Sequence, residues 1–130
     1  MSTVFSKIIE GSIPSFKIAE NDRFLAFLDA FPLVEGHCLL IPKQEVDNIF
    51  DLSDQDFADL HLFSKQIAKA IEKSFDCKKV GVSVVGLEVP HAHIHLIPID
   101  AVADMNFSKP KLQFSEDKMK SIQQRIISNL

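Results

Sequence analysis

Apolar residues in this chain change their spacing from one segment to the next, and each spacing predicts a type of secondary structure. Residues 53–75 repeat apolar side chains every three or four positions, which predicts a long amphipathic helix capped by Ser53. Shorter helices are predicted at residues 4–10, ending at Gly11, and at residues 115–129 near the C-terminus.

Other short segments are rich in apolar and β-branched residues, which is typical of strands. They are residues 16–20, 23–29, 36–42, 80–85 and 91–97. Short links between consecutive strands favour antiparallel pairing. Together with the helices, this order predicts an α+β fold with one main sheet, in a single domain of residues 1–130.

Composition and charge narrow the class of protein. A hydrophobic fraction of 46% and a charged fraction of 25% are ordinary for a soluble globular protein. The net charge of −4 argues against a partner that is a nucleic-acid polymer, because such binding needs clustered Lys and Arg. No apolar run approaches the roughly 20 residues of a membrane span, and the N-terminus does not resemble a signal peptide. Two cysteines, Cys38 and Cys77, are too few for a disulfide framework, so we expect a reducing, cytoplasmic location.

The chemically informative segment lies between two prolines at residues 90 and 98. It contains three of the five histidines, His91, His93 and His95, in strict alternation with apolar residues. Since successive side chains of a strand point to opposite faces, the three rings are expected on one face, with the apolar residues facing the core.

Three interpretations of this row compete. The first, a merely polar strand face, is disfavoured by strict alternation in a sheet otherwise rich in Val and Ile. The second is a metal site. His91 and His95 would be about 13 Å apart along a strand, so all three rings cannot converge on one ion. A two-histidine site would need a further ligand, for which His37 and Glu88 are candidates.

The third interpretation is covalent catalysis. An imidazole nitrogen attacks phosphorus and forms a bond that water can later cleave. A neighbouring histidine, about 6–7 Å along the strand, can stabilise the phosphoryl oxygens at neutral pH. This interpretation requires the attacking ring to be accessible and free of metal, and it predicts that no metal or other cofactor is needed.

The segment His-Ala-His-Ile-His-Leu-Ile at residues 91–97 resembles the histidine-triad (HIT) motif, in which histidines alternate with apolar residues. Residues 4–14, 24–29 and 36–43 resemble the preceding blocks of the same family. The similarity extends over about three quarters of the chain.

The resemblance implies a HIT-like five-stranded antiparallel sheet in each subunit, extended across the interface of a homodimer. It also implies hydrolysis or transfer at the α-phosphate of a nucleotide, usually a purine nucleotide, through a nucleotidyl-histidine intermediate. Members of the transferase branch are longer and have Gln in place of the last histidine of the triad. This chain keeps His95, which favours a hydrolase of the phosphoramidase or dinucleoside polyphosphate type.

The resemblance also implies roles for individual residues. His93 would be the nucleophile, with its ring oriented by the backbone carbonyl of His91. His95 would contact the phosphate oxygens, and His37 would support the His91 side. Asp29 would accept the ribose hydroxyls. The residues that match the apolar slot around the base, for which plain core packing is the alternative, are Val4, Phe5, Ile8, Phe27 and Leu39.

The chain departs from the family pattern in two places. Some members hold a structural zinc, but the corresponding positions here are Thr3, Ser6 and Glu45, so that zinc is expected to be absent. Residues 83–89 lack the usual Asn and Gly-Gln pair and instead place Glu88 and Val89 next to the expected nucleotide.

These departures leave a second function open, a non-catalytic nucleotide-binding dimer that acts through protein partners. Residues 104–114 carry no family motif and are predicted to be a loop. The lysines of that loop, Lys109 and Lys111, could steer anions, but a solvated loop is the preferred interpretation.

Overall fold

The structure is a computed structural model and describes residues 3–130. That range contains the helices α1 at Val4–Glu10, α2 at Asp54–Ser74 and α3 at Glu116–Ile127. Short 3-10 helices lie at Ile49–Asp51 and Val102–Met105. The three helices predicted from the sequence are confirmed and differ only in their terminal residues.

Antiparallel pairing joins the strands of the described range into one sheet. The strands are β1 at Lys17–Glu20, β2 at Phe24–Leu28, β3 at Cys38–Pro42, β4 at Lys79–Ser83 and β5 at Ile94–Ile99. Their order in the sheet is β1-β2-β3-β5-β4, so β5 is an inner strand between β3 and the edge strand β4. The predicted α+β class with a five-stranded antiparallel sheet is confirmed.

Neighbouring side chains of a strand point to opposite sides, so both faces of the sheet carry apolar residues. Different helices cover the two faces. Residues such as Leu40, Ile94 and Leu96 pack on one face in a cluster with α2 and α3. On the opposite face α1 supplies Phe5 and Ile8 to a smaller cluster. The strand residues of that smaller cluster are Leu25, Phe27, Leu39 and Ile41.

Side-chain and glycine caps set the ends of α1 and α2. The Thr3 hydroxyl accepts a hydrogen bond from the Ser6 backbone N–H at 3.0 Å, which satisfies a free donor at the start of α1. Gly11 ends that helix with a left-handed φ of 87°, as its position in the sequence predicts. The Ser53 hydroxyl accepts from the Asp56 N–H at the start of α2.

The predicted start of the last strand is wrong, because β5 begins at Ile94 and not at His91. The His91 N–H donates to the Val89 carbonyl at 2.8 Å, which closes a turn. The next N–H, of Ala92, donates to the Val46 carbonyl at 2.7 Å. Both donors are therefore used by loops and not by the sheet.

Replacing Ile71 by alanine should lower the free energy of unfolding by about 2–5 kcal/mol, because the side chain is fully buried between α2 and the sheet. Leu62, on the same helix but 60% exposed, provides the matched control. Leu62→Ala should change stability by no more than about 0.5 kcal/mol in urea denaturation. Equal losses for the two variants would contradict this packing.

None of the helices within residues 3–130 combines the length and the apolar character that crossing a membrane requires.

Candidate functional site

A cleft of about 580 Å³ lies on the α1 side of the sheet, where it is walled partly by Phe5 and Leu39. It brings together residues from α1, β3, β5, the loop before β5 and the segment after it. The lining residues are Phe5, Asp29, Phe31, His37, Leu39, Val85, Gly86, Leu87, Glu88, Val89, His93, His95, Phe107 and Lys111.

His93 lies on the wall of this cleft, and its hydrogen bond defines which ring nitrogen carries the proton. Its Nδ1 is 2.7 Å from the His91 carbonyl oxygen, which can only accept, so Nδ1–H donates. The neutral ring therefore carries its lone pair on Nε2. The side chain is only 7% exposed, but it borders the cleft and is not enclosed in the core, as covalent catalysis requires.

His95 receives a hydrogen bond from His37. The Leu33 backbone N–H donates to Nδ1 of His37 at 3.0 Å, so the proton of the neutral His37 ring lies on Nε2. That Nε2–H donates to Nδ1 of His95 at 2.9 Å. The proton of His95 therefore lies on Nε2, as expected of a group that donates to a phosphate oxygen.

The predicted support of the His91 side by His37 is wrong, since His37 contacts His95. His91 is instead fully buried and held by two other groups. Its Nε2–H donates to the Pro42 carbonyl at 2.8 Å, and its Nδ1 lies 3.1 Å from the Thr3 hydroxyl. His91 thus contributes its backbone carbonyl as the acceptor for His93, whereas its ring anchors the N-terminus of α1.

The rings keep the one-sided arrangement predicted from the alternation, although two of them precede the strand. The Phe5 ring centroid lies 5.8 Å from that of His91 and 5.0 Å from that of His93, both edge-on. The His93 and His95 centroids are 4.9 Å apart. Packing against Phe5 therefore fixes the row from the α1 side.

Burial keeps the histidines of the cleft neutral. It lowers the pKa of His93 below its ordinary value of 6.5. Burial, together with the charge of neighbouring groups, lowers the pKa of His95 to about 4 and that of His37 to about 3. At neutral pH the Nε2 lone pair of His93 is consequently available for attack.

Asp29 follows β2 and reaches the same cleft. One of its carboxylate oxygens accepts from the Phe31 N–H at 2.9 Å, and the other lies 3.6 Å from Nε2 of His37. Burial raises the pKa of this carboxyl group above its ordinary value. The acid is thus placed beside the histidines, with an orientation fixed by its own loop.

Asp29, His37 and His95 form a cluster of possible metal ligands, whose ligand atoms all lie within 4.8 Å of one another. A histidine that ligates a metal normally donates a hydrogen bond through its other ring nitrogen. Nδ1 of His37 instead accepts from the Leu33 N–H, which leaves the proton on the nitrogen that faces the cluster. This set therefore does not fit a metal ion bound through His37.

The second possible metal position, at the N-terminus of α1, also lacks suitable donors. The hydroxyls of Thr3 and Ser6 lie 3.1 Å apart, and Thr3 also contacts His91. Hydroxyl groups are not the thiolate and imidazole ligands of structural zinc sites. A hydrogen-bonded network thus occupies the position at which the resemblance implies a structural zinc in some proteins.

Residues predicted to bind the nucleotide separate into two groups. The cleft is lined by Asp29, Phe5, Leu39, Glu88 and Val89. Ile8 and Phe27 instead lie in the apolar cluster under α1, outside the cleft lining. Val4 borders an adjacent groove and is 43% exposed, because it is turned about 100° around the helix from Phe5. These three residues do not line the cleft itself, and their place in the slot around the base stays a prediction.

The loop before β5 forms one side of the cleft. β4 ends at Ser83, two residues earlier than predicted, and the chain turns at Gly86 with a φ of 72°. This left-handed conformation favours glycine. The turn leaves Leu87 89% exposed at the mouth of the cleft and brings Glu88 onto its lining.

Sequence reasoning missed the cleft residues Phe31, Phe107 and Lys111. The last two belong to the segment after β5, which carries no recognisable motif. The Phe107 ring centroid lies 4.8 Å from that of His95 and 6.5 Å from that of His37. The signal in the sequence is the pair of lysines in this segment, for which anion steering is the alternative to a solvated loop.

Comparison with known proteins identifies the family. Residues 10–102 match the family described as HIT domain. The chain belongs to the HIT family. This HIT protein is 33% identical to the adenosine 5'-monophosphoramidase of Schizosaccharomyces pombe, over all of this chain and 99% of the relative. It is also 33% identical to the adenosine 5'-monophosphoramidase of Saccharomyces cerevisiae, over 98% of this chain and 82% of the relative.

Solved HIT structures share the fold along the whole chain. A Hit-like protein from Bartonella henselae superposes with a TM-score of 0.86 at 27% identity, covering 99% of this chain and 96% of the other. A HIT family member from Bacillus subtilis superposes with a TM-score of 0.75 at 29% identity, covering 100% and 98%. The family predicted from the triad and its upstream blocks is confirmed.

Proposed function

We propose that this HIT protein is a nucleotide hydrolase that acts at the α-phosphate of a nucleoside phosphoramidate or dinucleoside polyphosphate. The observation that carries the proposal is the hydrogen bond from Nδ1 of His93 to the His91 carbonyl, which leaves Nε2 free to attack phosphorus. The two yeast relatives named as adenosine 5'-monophosphoramidases support a phosphoramidate as substrate.

The first step transfers the nucleotide to the protein. Nε2 of His93 forms a bond to the α-phosphorus while the bond from phosphorus to the leaving nitrogen breaks. The leaving amine departs with that electron pair and takes a proton from solvent. Nε2–H of His95 donates to a phosphoryl oxygen, where negative charge must be stabilised in the transition state.

The second step releases the nucleoside monophosphate. A water oxygen forms a bond to phosphorus, the bond to Nε2 of His93 breaks, and the electron pair returns to the ring. The proton lost by water goes to solvent. Neither step needs a metal ion, and the tautomer of His37 weighs against the metal-dependent hydrolase that two histidines would otherwise allow.

The nucleoside binds beside the histidines. Asp29 accepts the ribose hydroxyls, and its place at the end of β2 on the cleft supports this role. Phe5, Leu39 and Val89 supply the apolar surface against the base. Adenine is the expected base, because both yeast relatives are named for adenosine 5'-monophosphate.

The protein acts as a cytoplasmic homodimer in this proposal. Edge strand β4 and its extension carry Val82, Val84 and Val85, which are 59%, 40% and 49% exposed. Apolar side chains on a sheet edge favour pairing with another strand, here that of a second copy. Free thiols at Cys38 and Cys77 suit a reducing compartment.

Rapid mixing with adenosine 5'-monophosphoramidate in excess EDTA, followed by quenching at alkaline pH, tests the proposal. Intact mass should show one adenylyl group per subunit, and peptide mapping should locate it on His93. The adduct should be lost in acid, because a phosphoramidate bond hydrolyses there. Micromolar nucleotide binding with no adduct and no turnover would instead establish the non-catalytic binding protein. Activity abolished by EDTA and restored by zinc would establish a metal-dependent hydrolase.

A further inference from the structure

The distribution of charge in the cleft is uneven. Its lining contains two carboxylates, Asp29 and Glu88. It also contains three histidines that burial keeps neutral, His37, His93 and His95. Among the lining residues, all within the described range 3–130, Lys111 is the only permanent cation. A phosphate chain that enters the cleft therefore meets one fixed positive charge.

The segment after β5 holds Lys111 at the cleft. The Leu112 N–H donates to the Pro32 carbonyl at 2.8 Å, which fastens the segment to the loop that precedes β3. Phe107 packs edge-on against His95. The Lys111 ammonium donates to the Phe107 carbonyl at 2.9 Å and lies 5.3 Å from the Phe107 ring centroid.

The ammonium group is available for a ligand. Within residues 3–130 it forms no salt bridge, and its one hydrogen bond is to a neutral carbonyl. The loop of residues 83–89 places a carboxylate, that of Glu88, in the cleft lining. A polyphosphate leaving group would be repelled there unless a cation compensates.

We infer that Lys111 binds the leaving phosphate when the substrate has an anionic leaving group, as a dinucleoside polyphosphate does, and that it does not contribute when a neutral amine departs. The inference rests on the proposed function and names its substrate class. Lys111 thus binds the leaving group, and Phe107 positions the Lys111 side chain beside His95.

The reaction balances with such a substrate. Nε2 of His93 bonds to the α-phosphorus while the bond to the bridging oxygen breaks. The electron pair stays on that oxygen, which becomes a terminal oxygen of the departing nucleoside polyphosphate. Lys111 stabilises the added negative charge, so no proton is required for departure. Water then releases the nucleoside monophosphate from His93 as above.

The test compares two substrates in the full-length protein, diadenosine triphosphate and adenosine 5'-monophosphoramidate. Lys111→Met should lower kcat/KM for diadenosine triphosphate about 10- to 100-fold, the value of a charge-assisted hydrogen bond. It should change kcat/KM for the phosphoramidate by less than about threefold, because ammonia carries no charge that Lys111 binds. Lys111→Arg should retain most of the activity toward diadenosine triphosphate. Lys109→Met, in the same exposed segment but outside the cleft lining, is the matched control and should match wild type on both substrates.

A binding measurement separates this inference from the proposed function. A methylene-bridged diadenosine triphosphate analogue and AMP are titrated into wild type and Lys111→Met. If Lys111→Met binds the analogue more weakly than wild type but binds AMP equally well, the role of Lys111 is supported. This holds even if wild type turns over neither substrate, a result that would contradict only the proposed hydrolase. Two results would overturn the role of Lys111. Either Lys111→Met weakens the binding of both ligands and the turnover of both substrates equally, or it changes none of these values. Neither result would contradict the proposed hydrolase.

Discussion

His93→Ala should lower kcat/KM for adenosine 5'-monophosphoramidate by at least about 10⁴-fold, the largest effect expected of any single substitution in this protein. The reason is that the variant loses the only atom proposed to bond to phosphorus. Nε2 of His95 cannot replace it, since the hydrogen bond from His37 to Nδ1 of His95 keeps that nitrogen protonated. Steady-state kinetics at neutral pH measures the loss.

His61→Ala is the matched control for this substitution. His61 is exposed on α2, its ring contacts the carbonyl of Phe57, and neither residue belongs to the cleft lining. It should keep activity within about twofold of wild type. Both variants should unfold at similar urea concentrations, because the ring of His93 faces the cleft and leaves no closed cavity when removed. Substantial turnover by His93→Ala would exclude His93 as the nucleophile.

The sequence predicts which way the side chains of the triad segment face better than it predicts the course of the backbone. Alternation of histidines with apolar residues correctly places Ile94 and Leu96 in the core and the rings on the opposite side. It does not reveal that the strand begins only at Ile94, because the competing acceptors, Val89 and Val46, belong to loops that pattern analysis does not position. Long-range hydrogen bonds of this kind leave no periodic signal.

The same limitation explains the two main errors in the site. His37 and His95 are far apart in the chain, and their contact depends on the antiparallel register that pairs Leu39 with His95. Lys111 lies at the cleft in a segment that is held by the hydrogen bond from Leu112 to the Pro32 carbonyl and by the contact of Phe107 with His95. Composition and spacing carry information about local structure, whereas both of these contacts are set by tertiary structure.

His37→Leu should lower kcat/KM about 10²- to 10³-fold, the cost typical of losing one donor to a developing negative charge. Leucine cannot donate to Nδ1 of His95, so that ring becomes free to carry its proton on Nδ1. Its Nε2 would then present a lone pair to the phosphate in place of N–H. His37 acts here as a positioning residue, since it controls the tautomer of His95 without being required to touch the substrate.

The tautomer itself can be measured. In wild type, ¹⁵N NMR of the imidazole nitrogens should show His95 protonated at Nε2 and unprotonated at Nδ1 from about pH 6 to pH 8, because burial holds its pKa at about 4. His37→Leu should shift His95 toward the Nδ1–H form, whereas His37→Gln, which keeps an N–H donor, should restore both the tautomer and most of the activity. A purely structural role for His37 would lower activity in both variants and leave the tautomer of His95 unchanged. That outcome would show that the hydrogen bonds from Leu33 to His37 and from His37 to His95 do not determine which nitrogen of His95 is protonated.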